Sequence, residues 1–314
     1  MRREARAPFD TAKADIILCS SDNVYFRVFR CLLALASPFF DAMFDLPQSR
    51  TRPISHNNSS GLEIIPMTEN SRTIDMLLRF CYPSASISDP KMEKIGDVEQ
   101  VLEAATKYAM EGVEQKVRKV LVAPRFLEKE PLRVFAIAYR YHLEPEARAA
   151  AKYLLRLPSL PPDAEELGYI APNDLAMLDV YRRKCSQAVL GLTSNLEWVK
   201  RSQTHRFYEW WTDCCHCRSK SDVRYMMHST YAREWWVEYM EETMSALKET
   251  PCALAVTKRL PKAVEKANGC PTCRKKASAN MAEFTKMFAE EIDKAIADVS
   301  VFFVAKLGTR LDIW

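Results

Sequence analysis

The chain has 314 residues, 48% of them hydrophobic, and a formal net charge of +4. At roughly 100–200 residues per domain two domains are expected, and the apolar content excludes an intrinsically disordered chain. A charge so near balance supplies no general electrostatic drive toward nucleic acid or an acidic partner. Pure apolar runs such as Val301 to Ala305 are far short of the ~20 residues that span a bilayer. Behind Arg2, Arg3 and Arg6 there is no apolar stretch fit for a signal peptide. The chain therefore reads as soluble, cytoplasmic and/or nuclear. Its 10 cysteines then read as thiols or metal ligands, not disulfides.

Residues 1–13 are polar and weakly patterned, which predicts a flexible, frayed start. Asp15 to Cys19 and Val24 to Val28 are short apolar runs around the turn residues Ser20 to Asn23, so a β-hairpin is expected. The period then becomes helical through Cys31, Leu32, Leu35 and Phe39. Ser37-Pro38 restarts the chain as N-cap and first helical residue. Asp45 to Ser60 has no period and reads as a mobile loop. Gly61 to Met67 predicts a third strand. Ser71 to Cys81 is expected to be a helix, as is the stripe Val98, Val101, Leu102, Ala105 and Tyr108, with Gly112 separating the latter from Val113 to Leu121. From Pro131 onward only helices are expected, over Pro131 to Tyr141, Glu144 to Leu155, Asp174 to Leu190, Val223 to Leu247 and Met281 to Val299. The sequence shows no internal repeat. The fold class is α+β: a three-stranded sheet with flanking helices, then an all-helical domain.

Five segments, in order, carry a resemblance. They are Asp15-Ile16-Ile17-Leu18 with Val24-Tyr25-Phe26; Leu32 to Phe40 (LLALASPFF) with Met43-Phe44; Ile65 to Glu69; Leu77 to Pro83; and Val101 to Tyr108. Together they resemble a BTB/POZ domain over residues 14–125. The helical stretch downstream, through Ala136 to Tyr141 and Glu146 to Ala151, is similar to the extension of fungal-type BTB proteins. That divides the chain into 1–13, 14–125 and a helical domain at 126–314. Where the family usually has His-Lys, this chain has Phe29-Arg30. The resemblance implies the short form of the domain, without the swapped amino-terminal element, and so a monomer or weak homodimer. It also implies a protein–protein interaction adaptor without catalysis, whose partner is a protein such as a cullin-type ubiquitin ligase scaffold or a corepressor.

The chemistry-bearing residues lie outside that region. Cys214-Cys215-His216-Cys217 and Cys270-Pro271-Thr272-Cys273 are two Cys-x-x-Cys pairs between helices. Their two-residue spacing lets both sulfurs of a pair reach one ion, and four thiolates are the ligand set of a closed structural zinc site. Cys214, Cys217, Cys270 and Cys273 are the candidate ligands, with Cys215 and His216 as alternates. Plain reduced thiols and a redox dithiol remain open alternatives. Cys19, Cys31, Cys81, Cys185 and Cys252 read as structural. The aromatic groups Phe207-Tyr208-Trp210-Trp211 and Trp235-Trp236-Tyr239 read as core. Lys258, Arg259, Lys262, Lys266, Arg274, Lys275 and Lys276 form a basic stretch, expected to be a solvated face offset by Glu283, Glu290, Glu291 and Asp293. That stretch and the cysteine pairs supply an alternative reading, a zinc-stabilised nucleic-acid-binding or transcriptional regulator. No Gly-x-Ser-x-Gly, phosphate loop or His-Glu-x-x-His occurs, and no enzyme is expected.

Overall fold

The structure, a computed structural model, describes residues 3–46, 61–83, 87–161, 164–201, 211, 212, 214, 216–220 and 231–299. It divides into two compact units, Met1–Phe126 and Leu127–Trp314.

The first unit is built on β2 (Ile16–Cys19) and β3 (Val24–Val28), the expected hairpin. β3 alternates, with Val24, Phe26 and Val28 buried, whereas β2 buries Ile16, Ile17 and Leu18 in succession. The central position of β2 explains the difference. It pairs antiparallel with β3 and parallel with β4 (Glu63–Pro66), so both its edges are paired, and the burial of successive residues shows that side chains on both its faces are covered. A fourth strand, β1 (Arg3–Glu4), runs parallel to β3, giving the order β1-β3-β2-β4.

The start of the chain thus departs from the frayed segment expected. Phe9 is 0% exposed, its ring packs on those of Phe26 and Tyr82 at 6.0 and 5.4 Å, and its carbonyl accepts the Arg27 N–H at 2.9 Å. One buried aromatic and two sheet contacts suffice to fix a segment that has no period of its own.

Helices α1 (Arg30–Ala36) and α2 (Pro38–Asp45) meet at Ser37, as its neighbours predict. The Ser37 hydroxyl accepts the Phe40 N–H at 3.1 Å and donates to the Tyr108 carbonyl at 2.5 Å. Tyr108 ends α4 (Ile95–Lys107). Its ring stacks on Phe40 at 5.1 Å, and its hydroxyl donates to Glu69 at 2.6 Å. Lys107 also donates to Glu69, at 2.8 Å. Burial works against the Glu69 charge, yet Lys107 and Tyr108 hold its carboxyl below the usual range. The matching segments therefore touch one another. Arg30, at one of the two departures, bonds Glu63 at 2.6 Å and lies over the Phe44 ring. Helix α3 (Ser71–Cys81) is capped by the Asn70 side chain. The expected loop at 45–60 lies outside the described residues from position 47 on.

Helix α5 (Glu111–Leu121) contains Gly112. The break between α4 and α5 falls instead at Ala109, which adopts φ 50. There the Met110 N–H reaches back to the Ala105 carbonyl at 2.8 Å, closing the helix through a left-handed residue. The same turn recurs in the second unit, after α6 (Pro124–Lys129). Between α7 (Pro131–Arg140) and α8 (Glu144–Leu154), His142 has φ 57 and the Leu143 N–H bonds the Ala138 carbonyl at 2.8 Å. Ala105, Tyr108, Glu111 and Leu121 recur at a constant offset as Ala138, Tyr141, Glu144 and Leu154. A repeated helical hairpin is thus present where the sequence showed no repeat.

The second unit continues with α9 (Pro172–Ser194), α10 (Glu197–Arg201), α11 (Glu234–Glu249), α12 (Ala253–Thr257), α13 (Leu260–Asn268) and α14 (Ala277–Ala297). Helix α11 begins later than expected. Residues 223–230 lie outside the described residues, and Tyr231 to Arg233 are extended because Arg233 pairs with Ser219 in a short antiparallel bridge.

Candidate metal centre

An aromatic core sets the floor of the site. Trp211 stacks on Trp236 with centroids 4.7 Å apart, and both meet Phe284 at 5.7 Å. Trp198 stacks on Phe288 at 5.0 Å. Trp235, Trp236 and Tyr239 are buried on α11, the core role expected; Phe207, Tyr208 and Trp210 lie outside the described residues. Just beyond Trp211 the chain turns through Cys214 and Cys217. On the facing side α13 stops at Asn268. Gly269 and Cys270 follow, and a single 3-10 turn (Cys273–Lys275) leads into α14.

The two Cys-x-x-Cys pairs converge. All four sulfurs lie within 4.8 Å of one another. The pairs interleave: Cys214 faces Cys270 at 3.5 Å, and Cys217 faces Cys273 at 3.4 Å. A disulfide requires about 2.05 Å, so these are separate thiols. A tetrahedral ion with bonds of about 2.3 Å sets its ligand sulfurs about 3.8 Å apart, close to the spacing seen.

Each pair also folds alike around its first sulfur. The backbone N–H groups of His216 and Cys217 favour the ionised form of Cys214, and those of Thr272 and Cys273 favour that of Cys270. Burial opposes charge on both sulfurs, but these amides win and hold both thiols below the usual range. Burial and the neighbouring sulfurs push Cys217 and Cys273 the other way, upward. The four thiols are thus held apart, two downward and two upward, first by burial and then by their contacts with the backbone and with one another. A divalent cation at the centre would remove that conflict.

Of the alternate ligands, Cys215 lies outside the described residues. His216 is exposed, its Nδ1 bonds the Thr272 hydroxyl at 2.9 Å, and its ring is not part of the cluster. Cys81 and Cys185 are isolated thiols, raised by burial to about 12 and about 11.

The basic stretch separates into two sets. Lys262 and Lys266 pair with Glu242 and Glu238 of α11 at 2.7 and 2.6 Å. Their partners come from a packed neighbour, not from the acids downstream that the sequence suggested. Arg274, Lys275 and Lys276 have no ion pair among the described residues. Lys275 and Lys276, with Thr272, Cys273, Trp235 and Asn280, line a cavity of about 270 Å³ beside the sulfurs. One residue at the site had no signal in the sequence. Arg233, a lone arginine ahead of α11, donates to the carbonyls of Thr212 and Cys217.

In the first unit the notable surface is apolar. Leu35 on α1 is 85% exposed, Phe39 on α2 is 47% exposed, and Leu46 just after it is 63% exposed. No described helix is long and apolar enough to cross a membrane.

A family model, that of the BTB/POZ domain, matches residues 9–124. The comparison with curated proteins gave no match.

Proposed function

With residues 9–124 forming a BTB/POZ domain, a protein–protein interaction module, we propose that the chain is a non-catalytic adaptor whose helical unit is stapled by zinc. Such domains bind, among other proteins, cullin scaffolds and corepressors, and a partner of that kind is the reading here. One observation carries it: Leu35 on α1, Phe39 on α2 and Leu46 just after α2 stand exposed in a domain whose other large apolar side chains are mostly packed. Exposed apolar groups of this size mark interaction surfaces. β1 is satisfied by its own chain's β3, which supports a monomer or weak homodimer. The zinc reading rests on the four converging sulfurs of Cys214, Cys217, Cys270 and Cys273.

Affinity purification in high salt, with mass spectrometry, tests the adaptor reading. A specific protein should co-purify with the wild-type chain and be lost with Leu35→Glu, an exposed position where the substitution leaves the core intact. An identical set of retained proteins for both would remove α1 from the interface. The exposed cations Arg274, Lys275 and Lys276, which form no ion pair among the described residues, favour a second reading, a zinc-stabilised nucleic-acid-binding regulator. It requires an affinity for nucleic acid that falls steeply with salt.

A further inference from the structure

Arg233 is a buried cation that no carboxylate accounts for. It is 7% exposed and forms no ion pair among the described residues. Its two terminal nitrogens are used on one loop: they reach the Thr212 carbonyl, the Cys217 carbonyl at 3.5 Å and the Ser219 hydroxyl at 3.1 Å. Its Nε is buried with no hydrogen-bond partner. Thr212 and Cys217 bracket the first Cys-x-x-Cys pair. The backbone ties the same place, through the Arg233 N–H on the Trp211 carbonyl at 2.8 Å and the Lys220 N–H on the Ala232 carbonyl at 3.1 Å.

Burying a guanidinium without a counter-charge is costly, because its lost hydration is not repaid by an opposite charge. Neutral thiols would leave that cost standing. Four thiolates around a divalent cation carry a net charge of two negatives, held against the loop that Arg233 grips. We propose that Arg233 is the positioning residue and counter-charge of this metal centre: it fixes the Cys214–Cys217 loop by its carbonyls and offsets the charge of the tetrathiolate. Its role is distinct from that of Arg274, Lys275 and Lys276, which are exposed and face solvent or the cavity. The inference rests on the four cysteines holding a metal.

The test is metal affinity in the full chain, by competition with a chromophoric chelator, and the cobalt(II) absorption spectrum, which reports tetrahedral thiolate ligation. Arg233→Met keeps the bulk and removes the charge and the donors. Groups that orient metal ligands typically contribute 10–100-fold in affinity, and a loss of that size is expected. Arg233→Lys keeps a charge without the fork and should fall in between. Thermal unfolding with and without metal separates this from plain packing: the penalty of Arg233→Met should be larger with metal than without. Equal penalties, or an unchanged affinity in a folded Arg233→Lys and Arg233→Met, overturn the proposal while leaving the zinc reading intact. If Arg233→Met does not fold, Arg233→Lys alone decides by the same affinity criterion. A wild-type chain that gives no tetrathiolate cobalt spectrum overturns the zinc reading itself, and this inference with it.

Discussion

The two units solve the problem of polar groups differently. In the first, Ser37, Glu69, Lys107 and Tyr108 satisfy one another, and the apolar residues of β2 are buried, as are Leu77 of α3 and Val98 and Val101 of α4. Among the described residues there, no cluster of metal-ligating side chains calls for an ion. In the second, stacked rings make a firm floor, but rings do not dictate the path of the loop above them. That loop ends on four crowded sulfurs and a guanidinium with no carboxylate partner among the described residues. One packing closes on its own hydrogen bonds; the other brings four sulfurs together, and on the zinc reading proposed above a cation completes it.

Metal removal is the hardest test of this contrast. Structural zinc contributes on the order of 10 kcal/mol in zinc-finger peptides. Chelation should therefore abolish cooperative unfolding of the helical unit and leave the BTB transition in place, as read by calorimetry and hydrogen exchange. Cys214→Ser and Cys270→Ser should each reproduce the effect, because losing one thiolate opens the site. Cys252→Ser, a buried thiol outside the cluster, should cost far less. Loss of both transitions together would show that the units are not independent.

The aromatic floor comes next. Trp236→Ala should cost ~3–5 kcal/mol in the helical transition, and Phe40→Ala should cost as much in the other. Only the second loss should be the same with and without metal. Ser37→Ala removes both an N-cap and a tie to Tyr108, so a loss of ~1–2 kcal/mol is expected in denaturant unfolding, again insensitive to chelators.

The smallest effect is in acid. The Ser71 hydroxyl leads the groups that hold the Asp22 carboxyl down to about 2, against the opposing effect of burial. A depressed carboxyl stabilises above its unfolded pKa of about 3.9, and the contribution is lost as pH falls from there toward about 2. Asp22 is 40% exposed, so the gain is screened and stays under ~1 kcal/mol. Ser71→Ala should flatten the pH dependence of BTB-unit stability in that window.

What could be read from the sequence follows the same division. The hairpin, the Ser37-Pro38 restart and the strand at Ile64-Ile65 were legible because side-chain period reports directly which face is buried. The cysteine set was legible from spacing alone. Phe9 was not, since one aromatic among polar residues has no period. The α4–α5 turn was misplaced at Gly112 because glycine is the usual left-handed residue, while Ala109 and His142 adopt that conformation here. With the marker absent from both turns, the repeated hairpin was hidden too. Arg233 was invisible because its role depends on carbonyls and sulfurs that only tertiary structure brings near.

The interleaving of the cysteine pairs also has a consequence in time. Each facing partner lies 56 positions further along the chain. At about 5–20 residues per second of synthesis, Cys214 and Cys217 emerge roughly 3–11 seconds before the sulfurs that complete their shell. During that interval the leading pair can offer an ion only two thiols. Oxidation or capture by a competing soft metal is easiest then, so on the zinc reading proposed above the finished fold would depend on the redox and metal supply of the compartment where the ribosome works.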